Sequence, residues 1–195
     1  TALNSSVTPL TLTTIGVNRI PKGVKFNTAD EWDNRDARPK GEGADIVLHL
    51  AAISGVDDCD TKPAPAYDVN VTGTNNVAWF CRKTGAGLVF PFSMAVIGDP
   101  ESFPISVSDA RDPLNWYGRT RVLNERAIDQ FSADAFPAHL SLKSNLYGEH
   151  TIGDTRVSKG TVINFFANHA AVGDSLTVYE PRTQARNFIH VKDVA

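Results

Sequence analysis

Short apolar runs that alternate with longer amphipathic stretches are the feature that most constrains how this chain folds. The clearest runs are residues 45–50, 88–92 and 138–142. Residues 63–84 lie between the first two and carry apolar side chains at steps of three and four, with Gly85 placed to end a helix. Because continuous apolar strands suit a sheet covered on both faces, the sequence predicts an α/β fold in which crossover helices join parallel strands.

Local signals predict the remaining elements. A second helix is predicted to begin at Asp112 and Pro113, an N-cap and a first-turn proline, and to run to about residue 131. Residues 160–172 suggest a third helix. Two further segments, 176–179 and 186–191, are expected to be short strands or edges outside the main sheet.

The two ends of the sequence indicate a longer protein. The chain begins with Thr1 rather than methionine, and residues 188–195 stop without any terminating turn chemistry. Residues 1–23 are rich in Ser, Thr and Asn without a sustained period, which predicts a loop or peripheral structure. We therefore expect an excerpt that contains one domain or most of one.

Composition argues against several classes of function. The 195 residues are 42% hydrophobic and 21% charged, which is typical of a globular protein. A formal net charge of −3 without a dense Lys/Arg cluster argues against nucleic acid as a partner. Cys59 and Cys81 have no metal-ligand spacing, and no apolar stretch approaches the roughly 20 residues of a membrane span. The sequence therefore predicts a cytoplasmic protein with no metal site and no membrane partner.

One strand end and one helix carry the candidate catalytic residues. Tyr117 and Arg121 are four residues apart on the predicted helix, so their side chains share a face. A fixed cation beside a phenol favours the phenolate, which a general base near neutral pH requires. Ser93 directly follows the strand predicted at 88–92, and catalytic groups collect at the carboxyl ends of strands in open α/β sheets. We interpret the three as a catalytic set; the alternatives are a turn serine and an ordinary surface Tyr–Arg pair.

Six segments, in order along the chain, carry a family resemblance. They are HLAA at 49–52, NVTGT at 70–74, SxxVIG at 93–98, YGRTR at 117–121, NLYG at 145–148 and RNFIHVKDVA at 186–195. The series resembles the motifs of the NAD-dependent epimerase/dehydratase family, which are extended short-chain dehydrogenase/reductases, over roughly residues 24–195. Each motif is modest alone, but six in this order are specific for the family, though not for a substrate.

The resemblance implies an architecture and a set of ligands. The expected fold is a Rossmann-like, doubly wound parallel sheet with helices on both faces, followed by the start of a smaller substrate-binding region. Residues 1–145 would form a partial NAD-binding domain and residues 146–195 part of the substrate-binding region. The expected cofactor is NAD, and the expected partner is a nucleoside-diphosphate sugar. A homodimer paired through the helices at 63–84 and 112–131 is also implied.

The reaction that the resemblance implies is a 4-epimerisation of the UDP-glucose/UDP-galactose type. Tyr117 would take a proton from a sugar hydroxyl while hydride passes to the nicotinamide, and Ser93 would bind that hydroxyl and help to relay the proton. The keto intermediate would turn over and receive the hydride on its other face, which regenerates NAD. Dehydratases and decarboxylases of the family place an acid just after the serine position. Met94 and Ala95 stand there in this chain, which favours simple oxidation and re-reduction.

Cofactor positions also carry over from the family. Asp30 matches an acid near the adenine, with a solvated loop carboxylate as the alternative. Ala51 and Ala52 would let the backbone approach the dinucleotide, or would reflect tight strand packing. Asn70 would steady the polar contacts between the helix and the cofactor region, or would be a capping or buried structural amide.

Two residues match family positions near the sugar diphosphate. They are Asn145 and Arg186, and a guanidinium suits bidentate recognition of phosphate. A surface salt bridge is the alternative for Arg186. Ser93 belongs to the substrate-binding set as well, because it would bind the reacting hydroxyl. His190 is expected to be a structural histidine of the closing motif.

The sequence departs from the family pattern in two places that bear on activity. The glycine-rich loop G-x-x-G-x-x-G, which would hold the pyrophosphate, has no counterpart, and its omission from this chain is favoured over weak binding of NAD. Arg121 stands where the family carries lysine, and with Tyr117 it would contact the nicotinamide part of NAD through a bulkier, forked group. Three alternatives stay open: a non-catalytic dinucleotide or nucleotide-sugar binding protein, an NAD(P)-dependent reductase, and a dehydratase of the same family.

Overall fold

The computed structural model describes residues 44–100, 102–152, 154–158, 160–178, 180 and 186–194. The chain divides into two compact units between Leu142 and Lys143. Asp30 and the loop predicted at residues 1–23 lie outside the described residues, as does the sequence before residue 44 in general. The assignment of residues 1–145 to NAD binding and of residues 146–195 to substrate binding stays a prediction.

Three strands form one sheet at the centre of the described part of the first unit. Its strands are β1 (Ile46–Leu48), β2 (Gly87–Ser93) and β3 (Ala138–Lys143), hydrogen-bonded in that order. β1 and β2 run parallel, with Val47 opposite Leu88. Both side chains are buried in an apolar cluster that also takes Val77 and Ile128 from the helices between the strands. The predicted α/β fold with a parallel sheet is confirmed.

The connection from β1 to β2 is largely helical. It contains, in chain order, α1 (Val56–Thr61), α2 (Pro63–Tyr67), a π-helical turn (Asp68–Thr72) and α3 (Gly73–Thr84). α3 ends at Gly85, whose φ of +77° lies in the left-handed region that favours glycine and whose N–H bonds the carbonyl of Cys81 at 2.8 Å. The crossover helix predicted at 63–84 and its termination at Gly85 are confirmed, whereas α1 and the π-helical turn were not predicted.

The second crossover contains the long helix α4 (Trp116–Ser132). Its N-cap is Asn115, which has an extended backbone and whose Oδ1 accepts a hydrogen bond from Gly118 N at 2.8 Å. A start at Asp112 and Pro113 is therefore wrong, because the amide of Asn115 satisfies the first turn. The predicted helix itself is confirmed.

The described part of the second unit contains two small sheets, one α-helix and a 3₁₀ turn (Val191–Asp193). Its elements are β4 (Asn145–Tyr147), β5 (Glu149–Ile152), β6 (Thr155–Ser158), α5 (Val162–Val172) and β7 (Phe188–His190). β4 pairs with β7 in parallel, and β5 pairs with β6 in an antiparallel hairpin. The helix predicted at 160–172 is confirmed, and 186–191 contains a short strand outside the main sheet, as predicted.

A strand at residues 176–179 is not observed. Residues 176–178 have no regular structure, and Tyr179 lies outside the described residues. Leu176 and Val178 are both exposed. The extended, branched character of this segment predicted a strand, but a strand also needs a hydrogen-bonding partner, and none pairs with residues 176–178 among the described strands.

No helix in the described part of the chain combines the length and the apolar character that crossing a bilayer requires.

Candidate active site

Ser93 is the last residue of β2, at the carboxyl end of the parallel sheet. Its half-buried side chain caps a 3₁₀ turn (Met94–Val96), where Oγ accepts a hydrogen bond from Ala95 N at 3.2 Å. Since Oγ is the acceptor in this bond, its own proton stays available for a second oxygen atom. The predicted position of Ser93 at the strand end is confirmed, and its catalytic role stays a prediction.

Gly118 brings the turn after Ser93 against the start of α4. A Cβ at Gly118 would lie 2.4 Å from the carbonyl oxygen of Ala95 and 2.8 Å from Cβ of Pro113, so a side chain does not fit there. This close approach joins the strand end that carries Ser93 to the helical turn that carries Tyr117. Sequence reasoning did not single out Gly118, although a glycine in the first turn of a helix, where it is a poor helix former, was a usable signal.

Tyr117 and Arg121 are in contact, as their spacing predicts. The guanidinium carbon of Arg121 lies 5.1 Å from the centroid of the Tyr117 ring and 5.1 Å from the centroid of the Phe90 ring. Phe90 lies in β2 and is fully buried, and Arg121 is only 5% exposed. The cation is thus held between the phenol and the sheet by two aromatic faces.

Arg121 has hydrogen-bonding capacity that the described residues do not use. Its Nε and Nη1 are buried and have no hydrogen-bond partner among these residues. Asn124 lies one helical turn further along α4 and is fully buried. Its Nδ2 and Oδ1 also have no hydrogen-bond partner among the described residues. Unpaired buried polar groups are costly, and buried donors of this kind are normally satisfied by protein, water or a ligand. The site therefore fits a ligand that presents hydroxyl or carbonyl oxygens, as the ribose of a dinucleotide does.

The segment that follows β1 is fastened by Asn70. This fully buried residue of the π-helical turn accepts a hydrogen bond from Ile53 N at 2.8 Å, and its Nδ2 donates to the carbonyl of Ile53 at 3.0 Å. Ala51 and Ala52, both half-buried, directly precede Ile53. Asn70 is thus a buried amide that fixes the backbone beside the two alanines. Contact of Asn70, Ala51 or Ala52 with a cofactor stays a prediction.

His49 is a buried residue for which the sequence suggested no role of its own. Its Nε2 lies 3.0 Å from Oγ1 of Thr74, and that hydroxyl donates its proton to the carbonyl of Asn70 at 2.6 Å. The hydroxyl can therefore only accept from His49, which assigns the proton of the neutral ring to Nε2. Burial, and to a smaller extent the charge of Arg121, lowers the pKa of His49 to about 4.

Arg111 holds the loop between β2 and α4 and was also missed by sequence reasoning. Its Nε and Nη2 donate to the two carboxylate oxygens of Glu125 at 2.9 and 2.8 Å. The same guanidinium donates to the carbonyls of Val107 and Asp109. The hydrogen bonds that Arg111 donates to Glu125 raise the pKa of Arg111. One side chain of the loop is thereby fixed to α4 near the candidate site.

The predicted substrate residues belong to the second unit. Asn145 begins β4 opposite Phe188, and its N–H bonds the carbonyl of Asn187 at 3.3 Å. Arg186 is exposed and directly precedes Asn187, so the parallel pairing brings the backbones of Arg186 and Asn145 into one neighbourhood. Their binding roles stay predictions.

His190 lies at the end of β7 and makes structural contacts. Its ring meets Tyr147 edge to face at 5.1 Å, and its Nδ1 accepts a hydrogen bond from Lys192 N at 3.3 Å. Gly148 has a φ of +93°, and a Cβ there would lie 2.3 Å from Nε2 of His190. These contacts agree with the predicted structural role.

A parallel sheet with a serine at one strand end and a Tyr-x-x-x-basic helix beside it defines a short-chain dehydrogenase/reductase type of domain. Residues 5–195 match the family model of the NAD dependent epimerase/dehydratase family. The chain is 30% identical over 188 residues to a putative UDP-glucose 4-epimerase of Methanocaldococcus jannaschii, covering 94% of this chain and 61% of that protein. It is 34% identical over 93 residues to a dTDP-4-dehydrorhamnose reductase of Mycolicibacterium smegmatis, covering 47% of this chain and 28% of that protein.

A solved structure shares the fold. The UDP-glucose 4-epimerase from Brucella ovis in complex with NAD superimposes with a TM-score of 0.64 at 28% identity, covering 77% of this chain and 50% of that chain. The Rossmann-like fold predicted from the sequence is thereby confirmed. The chain belongs to the NAD-dependent epimerase/dehydratase family. The chain covers 61% of the Methanocaldococcus jannaschii protein and 50% of the Brucella ovis chain. It therefore spans about half to three fifths of the length of these relatives.

Proposed function

We propose that the protein containing this chain is a nucleotide-sugar 4-epimerase of the UDP-glucose/UDP-galactose type. The observation that carries the proposal is the buried guanidinium of Arg121, with unpaired Nε and Nη1 atoms, against the ring of Tyr117. The family match and the names of the relatives support the same activity. Met94 and Ala95 after the serine supply no acid for an elimination, which favours epimerisation over dehydration.

The described residues divide the work of the proposed reaction between them. NAD, when bound, would supply the hydride exchange that oxidises the sugar carbon and reduces it again. Tyr117 would remove the proton of the hydroxyl on that carbon, and Ser93 would donate a hydrogen bond to the same oxygen. Arg121 would hold the ribose hydroxyls through Nε and Nη1 and keep a positive charge beside the phenol. Ala51 and Ala52, with Asn70 behind them, would provide the backbone surface along the dinucleotide.

In the second unit, Asn145 and Arg186 are proposed to bind the sugar diphosphate. Arg186 is exposed at the start of the segment that leads into β7, and Asn145 begins the neighbouring strand. A guanidinium and a carboxamide can together donate several hydrogen bonds to phosphate oxygens. Substitution Arg186→Lys keeps the charge but removes the fork, so KM for the nucleotide sugar should rise about fivefold while kcat is retained. An unchanged KM would remove Arg186 from the proposal.

The deciding experiment is interconversion of UDP-glucose and UDP-galactose by the natural protein in its full length. Product formation, followed by chromatography of the nucleotide sugars, should occur without net change in NADH absorbance, because the cofactor is regenerated. Binding of NAD and nucleotide sugar without a product from any common nucleotide sugar would instead indicate a non-catalytic binding protein.

Arg121 is tested separately, because it replaces the lysine of the family. If the guanidinium performs the role of the lysine, Arg121→Lys should preserve or raise turnover with intact folding. Arg119→Lys is the matched control, since Arg119 is exposed on the same helix and its guanidinium lies 5.5 Å from the Trp116 ring centroid. A loss of activity in Arg121→Lys, with wild-type stability, would contradict this assignment.

A reductase of the same family is the second candidate. It is supported by the match to the dTDP-4-dehydrorhamnose reductase, which covers 47% of this chain. A reductase consumes its nicotinamide cofactor, whereas an epimerase shows no net redox change. Steady consumption of added NADH in the presence of a keto nucleotide sugar would therefore replace the epimerase assignment.

A cytoplasmic homodimer is proposed as the working form. Large apolar side chains are exposed on the helices of the first unit, namely Tyr67, Trp79 and Leu123. α3 and α4 pack together, with Arg82 Nη1 donating to the carbonyl of Phe131 at 2.8 Å. Light scattering should give a dimer for the wild type and a monomer for Trp79→Glu. A monomeric wild type would refute the proposed dimer.

The proposed cytoplasmic location is supported by two free, buried cysteines, Cys59 and Cys81, which suit a reducing compartment. Recovery of the protein outside the cytoplasm would contradict this location.

A further inference from the structure

The Asn70 amide uses all of its hydrogen-bonding groups inside the first unit. Its oxygen and one N–H are taken by the backbone of Ile53, at 2.8 and 3.0 Å. The remaining N–H donates to Oγ1 of Thr120 at 3.1 Å. The backbone donor of Ile53 fixes the orientation of the amide, because only the amide oxygen can accept from it. The contact with Thr120 is therefore a donation from Asn70 and cannot be reversed.

Thr120 completes this chain of bonds on α4. Its side chain is 1% exposed, and its hydroxyl donates to the carbonyl of Tyr117 at 2.8 Å. Accepting from Asn70 and donating to Tyr117, the hydroxyl is a connecting member between two segments that are 50 residues apart in the sequence. The bonds thus run without interruption from the backbone of Ile53 to the backbone of Tyr117.

We propose that Thr120 is a positioning residue that sets the distance between the segment after β1 and the catalytic helix. This inference rests on the proposed function, in which that segment lines the dinucleotide and Tyr117 removes the proton. Thr120 contacts neither ligand in this scheme. It acts through Asn70 on one side and through the carbonyl of Tyr117 on the other, so that the two binding surfaces keep one relative position.

The test compares Thr120→Val with Thr120→Ser in the full-length protein with NAD added. Valine has nearly the same shape but leaves one N–H of Asn70 buried and unpaired, whereas serine retains both bonds. Thr84→Val is the control, because Thr84 also donates to a carbonyl of its own helix, that of Phe80 at 3.0 Å. Thr84 is exposed and lies just before the amino end of β2, whereas Ser93 lies at the carboxyl end.

Two readouts separate positioning from plain stability. In Thr120→Val, kcat should fall about tenfold while KM for the nucleotide sugar changes less than about twofold, and Thr120→Ser should restore kcat. Hydrogen exchange at Ile53 N should be about tenfold faster in Thr120→Val than in the wild type or in Thr120→Ser. Thr84→Val should change neither quantity.

Each arm can overturn the proposal. Unchanged kcat in Thr120→Val, or a loss that Thr120→Ser shares, would show that the hydroxyl does not set the site. Unchanged exchange at Ile53 would show that the bonds do not couple the two segments. The exchange measurement needs no turnover, so it still decides the coupling if the wild-type protein proves inactive and the proposed function fails instead.

Discussion

Asn70 in the first unit and Asn164 in the second make the same pair of backbone bonds with different consequences. Asn70 binds N–H and carbonyl of Ile53, and Asn164 binds N–H and carbonyl of Gly148 at 2.9 and 3.0 Å. In both cases a helical segment holds a residue that follows a strand. Asn70 donates its remaining N–H to Thr120 on α4, whereas Nδ2 of Asn164 also reaches Ser158 Oγ at 3.5 Å. One amide is thus connected to the candidate catalytic helix and the other to a hairpin of its own unit.

The first prediction concerns Tyr117, the proposed general base on the helix to which Asn70 is connected. If the first unit carries the proton transfer, Tyr117→Phe should lower kcat by a factor on the order of 1000 without unfolding the protein, because the general base is lost. Steady-state kinetics at saturating nucleotide sugar measure the effect. Tyr67→Phe is the control, since Tyr67 is exposed on α2. Comparable kcat values for the two variants would exclude Tyr117 as the base.

The two asparagines can be compared directly by truncation. Asn70→Ala and Asn164→Ala should each lower the free energy of unfolding by about 3 kcal/mol, because each leaves buried backbone groups unpaired. Only Asn70→Ala should also lower kcat in the remaining folded protein. Denaturant titration and kinetics on the same samples give both numbers. Equal losses of kcat in the two variants would remove the distinction between the two amides.

Gly118 tests the packing that joins Ser93 to α4. Gly118→Ala should cost about 2 kcal/mol of unfolding free energy and reduce activity, because the new Cβ meets the carbonyl of Ala95 and the backbone must shift. Gly73→Ala is the opposite control, since a Cβ there has only a contact of 3.9 Å in a helical position and should stabilise by about 0.5–1 kcal/mol. Thermal or denaturant unfolding measures both changes in free energy. Equal changes for Gly118→Ala and Gly73→Ala would refute the packing argument.

The buried histidine of the first unit predicts a dependence of stability on pH. The pKa of His49 is about 4 in the folded protein and 6.5 in the unfolded chain, so between these values the unfolded chain binds the proton. Its contribution is fully present above pH 6.5 and is lost as the pH falls towards 4. From pH 7 to pH 5 the wild type should lose about 2 kcal/mol more than His49→Gln. Parallel losses in both proteins would contradict the assignment.

Local pattern was sufficient for the sheet and the main helices. Continuous apolar runs located the three strands, and Gly85 marked the end of α3. The start of α4 was misplaced, because Asp112 and Asn115 are both good capping residues and only the folded backbone shows that Asn115 bonds Gly118 N. The π-helical turn has no characteristic residue composition, and the spacing of the apolar residues did not indicate it.

The candidate site was predictable only in part. Ser93, Tyr117 and Arg121 follow from strand end and helical spacing, which are local. The bonds of Asn70 to Ile53 and Thr120, and of Arg111 to Glu125, join residues 14 to 50 positions apart. These hydrogen-bond partners depend on how the helices and strands pack. The local periodicity of a single sequence does not indicate which distant residues will meet.

The π-helical turn at Asp68–Thr72 makes the number of residues in this helix as important as their identity. One extra residue turns the two parts of a helix by about 100° relative to a continuous α-helix. Asn70 can therefore face Ile53 and Thr120 while Val77 and Cys81 still pack in the apolar cluster. Deleting one residue from the turn would leave every named side chain present and direct the amide away from its partners. A single-codon deletion here should thus be more damaging than most substitutions in the same segment.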